Sequence, residues 1–99
     1  MSGGYGTEVA FRLGPGTADE ARGIAERLAR AAAGCRRHVL FLDAEAGEYG
    51  CLAEWDRREE AEGFAARPAA RAELAAIATR TGKEPRVRLY AMEESKLHP

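Results

Sequence analysis

A carboxylate held between guanidinium groups can serve as an active-site acid, and the strand-like alternation around Glu54, Arg12 and Arg88 could bring such a group together on one face of a sheet. Cross-strand pairing on a half-buried sheet explains the same residues without chemistry, and it is the commoner use of them. His38 has an intrinsic pKa near neutrality, which suits a general base, but it stands at the start of a strand without a recognisable partner. Cys51 would need an electropositive setting to act as a nucleophile. It lies between Tyr49 and Ala53 at core parity, so packing is its expected role. Tyr49, Trp55 and Phe64 could stack a flat ligand, although aromatic residues at these spacings more often fill a core. The run Arg57-Arg58-Glu59-Glu60 reads most simply as a solvated first helical turn.

Several kinds of site are excluded by spacing. Cys35, Cys51, His38 and His98 match no zinc pattern and no CxxC redox pair, so no metal is expected and both thiols are read as reduced. Gly14-Pro15-Gly16 is too short for either nucleotide-binding fingerprint. Fifteen basic residues against 16 acidic leave a net charge of −1, which gives no pull towards nucleic acid or an anionic membrane. No apolar run approaches the ~18 residues of a membrane span, and the opening MSGGYGTEVAF lacks the basic and apolar regions of a signal peptide. A cytoplasmic location is the expectation.

The elements that must position these residues follow from periodicity. After a glycine-rich lead over residues 1–6, Val9, Phe11 and Leu13 alternate with Ala10 and Arg12 as a first strand. Thr17 and Glu20 have capping-box spacing, Ala21, Ile24, Ala25, Leu28 and Ala32 form one helical face, and Gly34 is the expected left-handed C-cap. Residues 35–56 read as a β-hairpin turning over 43–47, with Cys51 across from Leu40 and Cys35 about 16 Å further along the strand, too far for a disulfide. Asp56 and Glu59 repeat the capping spacing ahead of a second helical region, which Pro68 divides and Gly82 ends, with Leu74, Ile77 and Ala78 as its apolar stripe. Residues 86–92 alternate once more, and 93–99 form a polar tail. Residues 7–92 are thus one β-α-β-β-α-β domain: α+β, ferredoxin-like, with both helices on one face of a four-stranded antiparallel sheet.

Nothing in the chain remains to cover the other sheet face. The 45% hydrophobic content is also thin, because 21 of those residues are alanine. Both points predict a homodimer packed sheet against sheet.

Gly34-Cys35 opening the second strand, the acidic turn, Glu54-Trp55-Asp56 ending the third, the acidic helix start Glu59-Glu60-Ala61 and the break at Pro68 together resemble the antibiotic biosynthesis monooxygenase family. The resemblance spans about residues 7–92. It implies a dimeric α/β barrel with a pocket between sheet and helices, for which Val9, Phe11, Tyr49, Trp55, Phe64, Leu74 and Ile77 are the candidate lining. Better-understood members of the family oxidise polycyclic phenols to quinones with oxygen and no cofactor, or open the haem ring. Where haem-degrading members carry Asn, Trp and a ligand His, the approximate alignment places Val9, Phe64 and Glu73, so haem degradation is disfavoured. The same replacements weaken a direct transfer of the quinone-forming residues.

Two functions stay open on this reading. One is a cofactor-independent monooxygenase acting on a hydrophobic aromatic or polyketide-like molecule. The other is a non-catalytic binding or accessory protein with the same pocket. A positioned base would separate them, and Glu73, Tyr49 and His38 are the candidates.

Overall fold

The computed structural model describes residues 3–95. Its order is β1 (Gly4–Arg12), α1 (Ala18–Ala31), β2 (Arg37–Asp43), β3 (Glu48–Trp55), α2 (Arg58–Gly63), a single 3₁₀ turn (Phe64–Ala66), α3 (Pro68–Thr81) and β4 (Arg86–Met92). The strands form one antiparallel sheet in the order β2-β3-β1-β4, the ferredoxin-like plan read from the periodicity. Leu40 pairs with Cys51, as the hairpin spacing requires, and Cys35 lies beyond the start of β2. Both cysteines are free.

One sheet face carries the core. Val9, Phe11, Tyr49, Cys51 and Trp55 point to the same side and bury against Ala21, Ile24 and Leu28 of α1, against Phe64, and against Ile77 of α3. Alanine at 21, 25, 31 and 32 lets α1 approach closely, which is how so few large side chains close a core. Thr7 fixes α2 to the sheet by donating to the Ala61 carbonyl at 3.0 Å. The helix α3 lies against α1 more than against the sheet, and three polar contacts hold it there. Arg80 makes a forked pair with Glu20 at 2.8 and 3.0 Å, Arg27 meets Glu73 at 2.8 Å, and Arg67 donates to the carbonyls of Ala31 and Ala33. The order of the pairs shows the two helices running antiparallel.

Several local expectations are corrected. β1 starts at Gly4 rather than Thr7, because the backbone of the supposed lead pairs with both β3 and β4. Thr17 precedes α1 but does not close a capping box, since its hydroxyl donates to Gly14 O at 2.6 Å while Glu20 is taken by Arg80. Asp56 does not cap α2 either. It pairs with Arg36 at 3.3 Å, and Arg57 holds the N-cap position. Gly34 is left-handed, with φ +94°, yet α1 ends at Ala31 with Ala32 as its C-cap, so Gly34 instead turns the chain towards β2. Pro68 and Gly82 stand where they were expected, at the first turn and the left-handed C-cap of α3. Residues 93–95 have no regular structure, and the rest of the expected tail lies outside the described residues.

The tip of the β2–β3 hairpin docks on the chain leaving β1. The Gly47 carbonyl accepts from Leu13 N at 2.9 Å and Gly14 N at 3.3 Å. Gly47 has φ +70°, and a Cβ there would fall 1.8 Å from the Gly14 carbonyl oxygen. Glycine is therefore required twice over, by conformation and by space. Gly47→Ala is expected to lower stability by about 1–3 kcal/mol, read from the urea midpoint, and an unchanged midpoint would be incompatible with this close approach.

Candidate functional site

The hairpin tip, the end of β1, the C-terminus of α3 and the link into β4 converge at one end of the sheet. They border an open cavity of about 690 Å³ lined by Phe11, Leu13, Tyr49, Arg80, Thr81 and Lys83 with Ala10, Arg12, Gly14, Glu48, Glu84, Pro85 and Arg86. Phe11 and Tyr49 pack together across β1 and β3 with ring centroids 5.8 Å apart, and these core residues, 8% and 4% exposed, reach the cavity floor only with their edges. The Tyr49 and Thr17 hydroxyls are 2.9 Å apart. The single Thr17 proton is committed to Gly14 O, so Tyr49 is the donor in that pair, and its own oxygen keeps lone pairs available as acceptors. On the far wall, the one Thr81 hydroxyl proton is shared between Ile77 O at 2.9 Å and Lys83 O at 2.8 Å, while the hydroxyl oxygen accepts from Lys83 N at 3.2 Å in the turn that carries Lys83 and Glu84.

The residues singled out in the sequence fall in different places. Of the suggested pocket lining, Phe11 and Tyr49 reach this cavity. Val9, Trp55, Phe64 and Ile77 are packed inside the closed core, with Leu74 at its edge. Trp55 and Phe64 lie 5.9 Å apart, and the Arg67 guanidinium covers the Trp55 ring at 4.8 Å, so the indole faces protein on both sides. Glu73 is held by Arg27 between the two long helices and does not line the cavity. His38 lies on β2 opposite Ala53, where burial lowers its pKa below the ordinary 6.5, and it too is away from the cavity. Tyr49 alone of the three candidate bases is at the cavity wall.

The carboxylate flanked by guanidiniums exists, but with different partners. Glu54 accepts two hydrogen bonds from Arg37, at 3.0 and 2.8 Å, and has Arg36 at 3.9 Å. Arg12 faces Glu48 and Arg88 faces Glu8 instead. Arg37 stands directly opposite Glu54 in the β2–β3 register, so this is the cross-strand pairing of a hairpin. Among the described residues no group of three His, Cys, Asp or Glu side chains is placed to hold a metal. Sequence reading missed the Thr17–Tyr49 pair and the cations beside the cavity. The second had a visible signal in the charged link Lys83-Glu84-Pro85-Arg86 between α3 and β4.

A four-stranded antiparallel sheet with its helices on one face, and a cavity where hairpin and helix ends meet, defines a small ferredoxin-like α+β protein. No protein-family model matches the sequence, and no curated protein matches it. Solved structures do match the fold. A Deinococcus radiodurans protein provisionally named an antibiotic biosynthesis monooxygenase superposes with TM-score 0.72 at 15% identity, over 96% of this chain and 98% of that one. A Caulobacter crescentus protein with the same provisional name gives 0.68 at 19% identity, over 94% and 92%. NE2512 from Nitrosomonas europaea, of unknown function, gives 0.69 at 17% identity, over 99% and 97%. The chain has the fold of the antibiotic biosynthesis monooxygenase proteins. Among the described residues no helix is long and apolar enough to cross a membrane.

The two thiols differ in a way that can be measured. Burial pushes the Cys51 thiol up to about 12, whereas Cys35 is half-buried at the start of the link into β2. A thiolate-directed reagent at pH 8 is expected to label Cys35 first and to reach Cys51 only on unfolding. Equal rates in the native protein would contradict the burial of Cys51.

Proposed function

We propose that this protein is a homodimeric, cofactor-independent monooxygenase of the quinone-forming type, taking a phenolic or polyketide-like aromatic in the cavity beside Phe11 and Tyr49. The observation that carries the reading is the Tyr49 hydroxyl, which lies on a residue lining the cavity and donates to Thr17, so that its own lone pairs are left as acceptors. In such a reaction the substrate's own acidity supplies the carbanion. Molecular oxygen then adds at the ionised carbon, one oxygen atom stays as the new carbonyl, and the other leaves with two hydrogens as water, so no outside reductant is needed. The fold supports this reading through the names of its structural neighbours, and the cavity supports it through size.

A second reading, a binding protein without chemistry, is favoured by Glu73 and His38, the other two candidate bases, both lying away from the cavity. Oxygen uptake with a panel of anthrone-like and hydroquinone-like compounds separates the two. Uptake matched by quinone formation, and reduced about 10- to 100-fold in Tyr49→Phe, is expected for the enzyme. Saturable binding with no oxygen consumed would assign the protein to the second reading.

The homodimer rests on the sheet face opposite the helices. Val39, Phe41, Leu52, Ala10, Tyr90 and Met92 form its apolar part, and Phe41 is 52% exposed. β4 is also uncovered on its helix side, where Val87 and Leu89 are 40% and 43% exposed because α3 leans on α1. A second copy packed on the open face would bury on the order of 1,500 Å² in total. Sedimentation is expected to give a dimer at micromolar concentration, and Phe41→Glu to shift it towards monomer. A folded monomer of the unaltered chain at that concentration would refute the assembly.

A further inference from the structure

Resting on the homodimer proposed above, we propose that Glu8 of one copy pairs with Arg88 of the second copy across the open sheet face, and that this ion pair decides which way round the two copies meet. By register the open face carries Arg12, Arg37, Arg86 and Arg88 with Glu8, Asp43, Glu48 and Glu54. Half of these charges are engaged within the chain. Arg37 holds Glu54 at 2.8 Å, and Arg12 stands 3.9 Å from Glu48. Glu8, Asp43, Arg86 and Arg88 have no ion pair among the described residues. Asp43 is exposed at the hairpin end and accepts from Ala46 N at 3.2 Å, so water and its own turn suffice for it. Glu8 is placed differently. It is half-buried in the middle of β1, with Leu52 opposite it on β3. Its Oε1 accepts from the Tyr90 hydroxyl at 2.9 Å, which fixes the carboxylate on its β4 side. Its Oε2 lies over Gly50, 3.2 Å from where a Cβ would stand, and Phe41 is 3.8 Å from the same point. Arg88 is the ladder partner of Glu8, yet no ion pair joins them in one chain. The oxygen left without a donor thus faces the apolar patch of Phe41, Leu52 and Ala10, where a group from a covering molecule arrives. A second copy seated there takes a held carboxylate out of water, which is unfavourable unless a cation comes with it. Arg88, exposed and unpaired at the same level of the sheet, is the cation that copy brings. Two-fold symmetry makes the contact reciprocal, so each carboxylate gains a guanidinium, and a polar pair inside an apolar interface selects one arrangement over its alternatives.

The test uses the full chain with single charge reversals, Glu8→Arg and Arg88→Glu, and reads association by sedimentation. Each reversal alone is expected to weaken the dimer about ten-fold or more, because like charges then meet across the interface. An equimolar mixture of the two is expected to form a heterodimer within about two-fold of the unaltered affinity, since both cross-copy pairs are then complementary. Glu8→Arg mixed with Arg71→Glu, an equal reversal at an exposed position of α3, is expected to recover much less. Equal recovery in the two mixtures would assign the effect to overall charge and overturn the pair, as would no recovery in the first. A conservative variant gives a second measurement that does not depend on the folding of the reversals. In Arg88→Lys, a zero-length carbodiimide is expected to couple Glu8 to the introduced lysine between an isotope-labelled chain and an unlabelled one. Coupling that is absent, or confined to chains of one isotope, would overturn the inference while leaving the dimer in place. A monomeric unaltered chain would instead remove the homodimer, and this pair with it.

Discussion

The cavity depends on the position of α3, which is set by the burial of Ile77 and Ala70 together with polar contacts to α1. Arg80 to Glu20 and Arg27 to Glu73 join the two helices at separate points, while Arg67 reaches the carbonyls at the end of α1. Exposed pairs of this kind are each worth only about 0.2–1 kcal/mol. Ile77, Ala70 and the edge of Leu74 supply what apolar anchoring there is. One wall of the cavity is therefore carried on a helix whose attachment is weaker than that of the strands forming the other wall. The hairpin side is the rigid side, because Gly47 and Gly14 are in backbone contact there.

The ladder of the sheet was readable because alternation and turn chemistry act over a few residues. Val9, Phe11, Tyr49 and Cys51 announce a buried face by period alone, and the acidic turn at 43–47 fixes the register that places Leu40 opposite Cys51. The helix starts were not readable in the same way. Thr17 and Asp56 have cap-like types and spacing, yet a long-range partner outcompetes the local amide in each case: the Gly14 carbonyl and Tyr49 for one, Arg36 for the other. Gly4-Tyr5-Gly6 offers a single side chain and so no period, and its strand could be known only from the backbone partners on either side.

The site was less legible for a related reason. Cavities at the end of a sheet are made by segments that are remote in sequence, and a pattern one strand or one helix long contains no information on which ends meet. Trp55 and Phe64 were reasonable as a ligand platform by type. In the folded chain they are the centre of the core, because the 3₁₀ turn at Phe64–Ala66 and the break at Pro68 bring Arg67 back over the indole. Glu54 shows the opposite case, in which the chemistry was read correctly as a carboxylate between guanidiniums but the partners came from the adjacent hairpin strand.

Trp55 is the only tryptophan in the chain, and its indole N–H is buried without a hydrogen-bond partner among the described residues. It lies six positions along β3 from Tyr49, roughly 20 Å. Intrinsic emission excited at the red edge of the aromatic band therefore comes from one place, the junction of α2 and α3 beneath Arg67, and it reports on the integrity of that junction. Tyrosine absorption has no such single address, because Tyr5 pairs opposite Trp55 and Tyr90 stands on the open face of β4, while Tyr49 lies at the hairpin end. Loosening of the helical layer can thus be followed through one indole in an unlabelled sample.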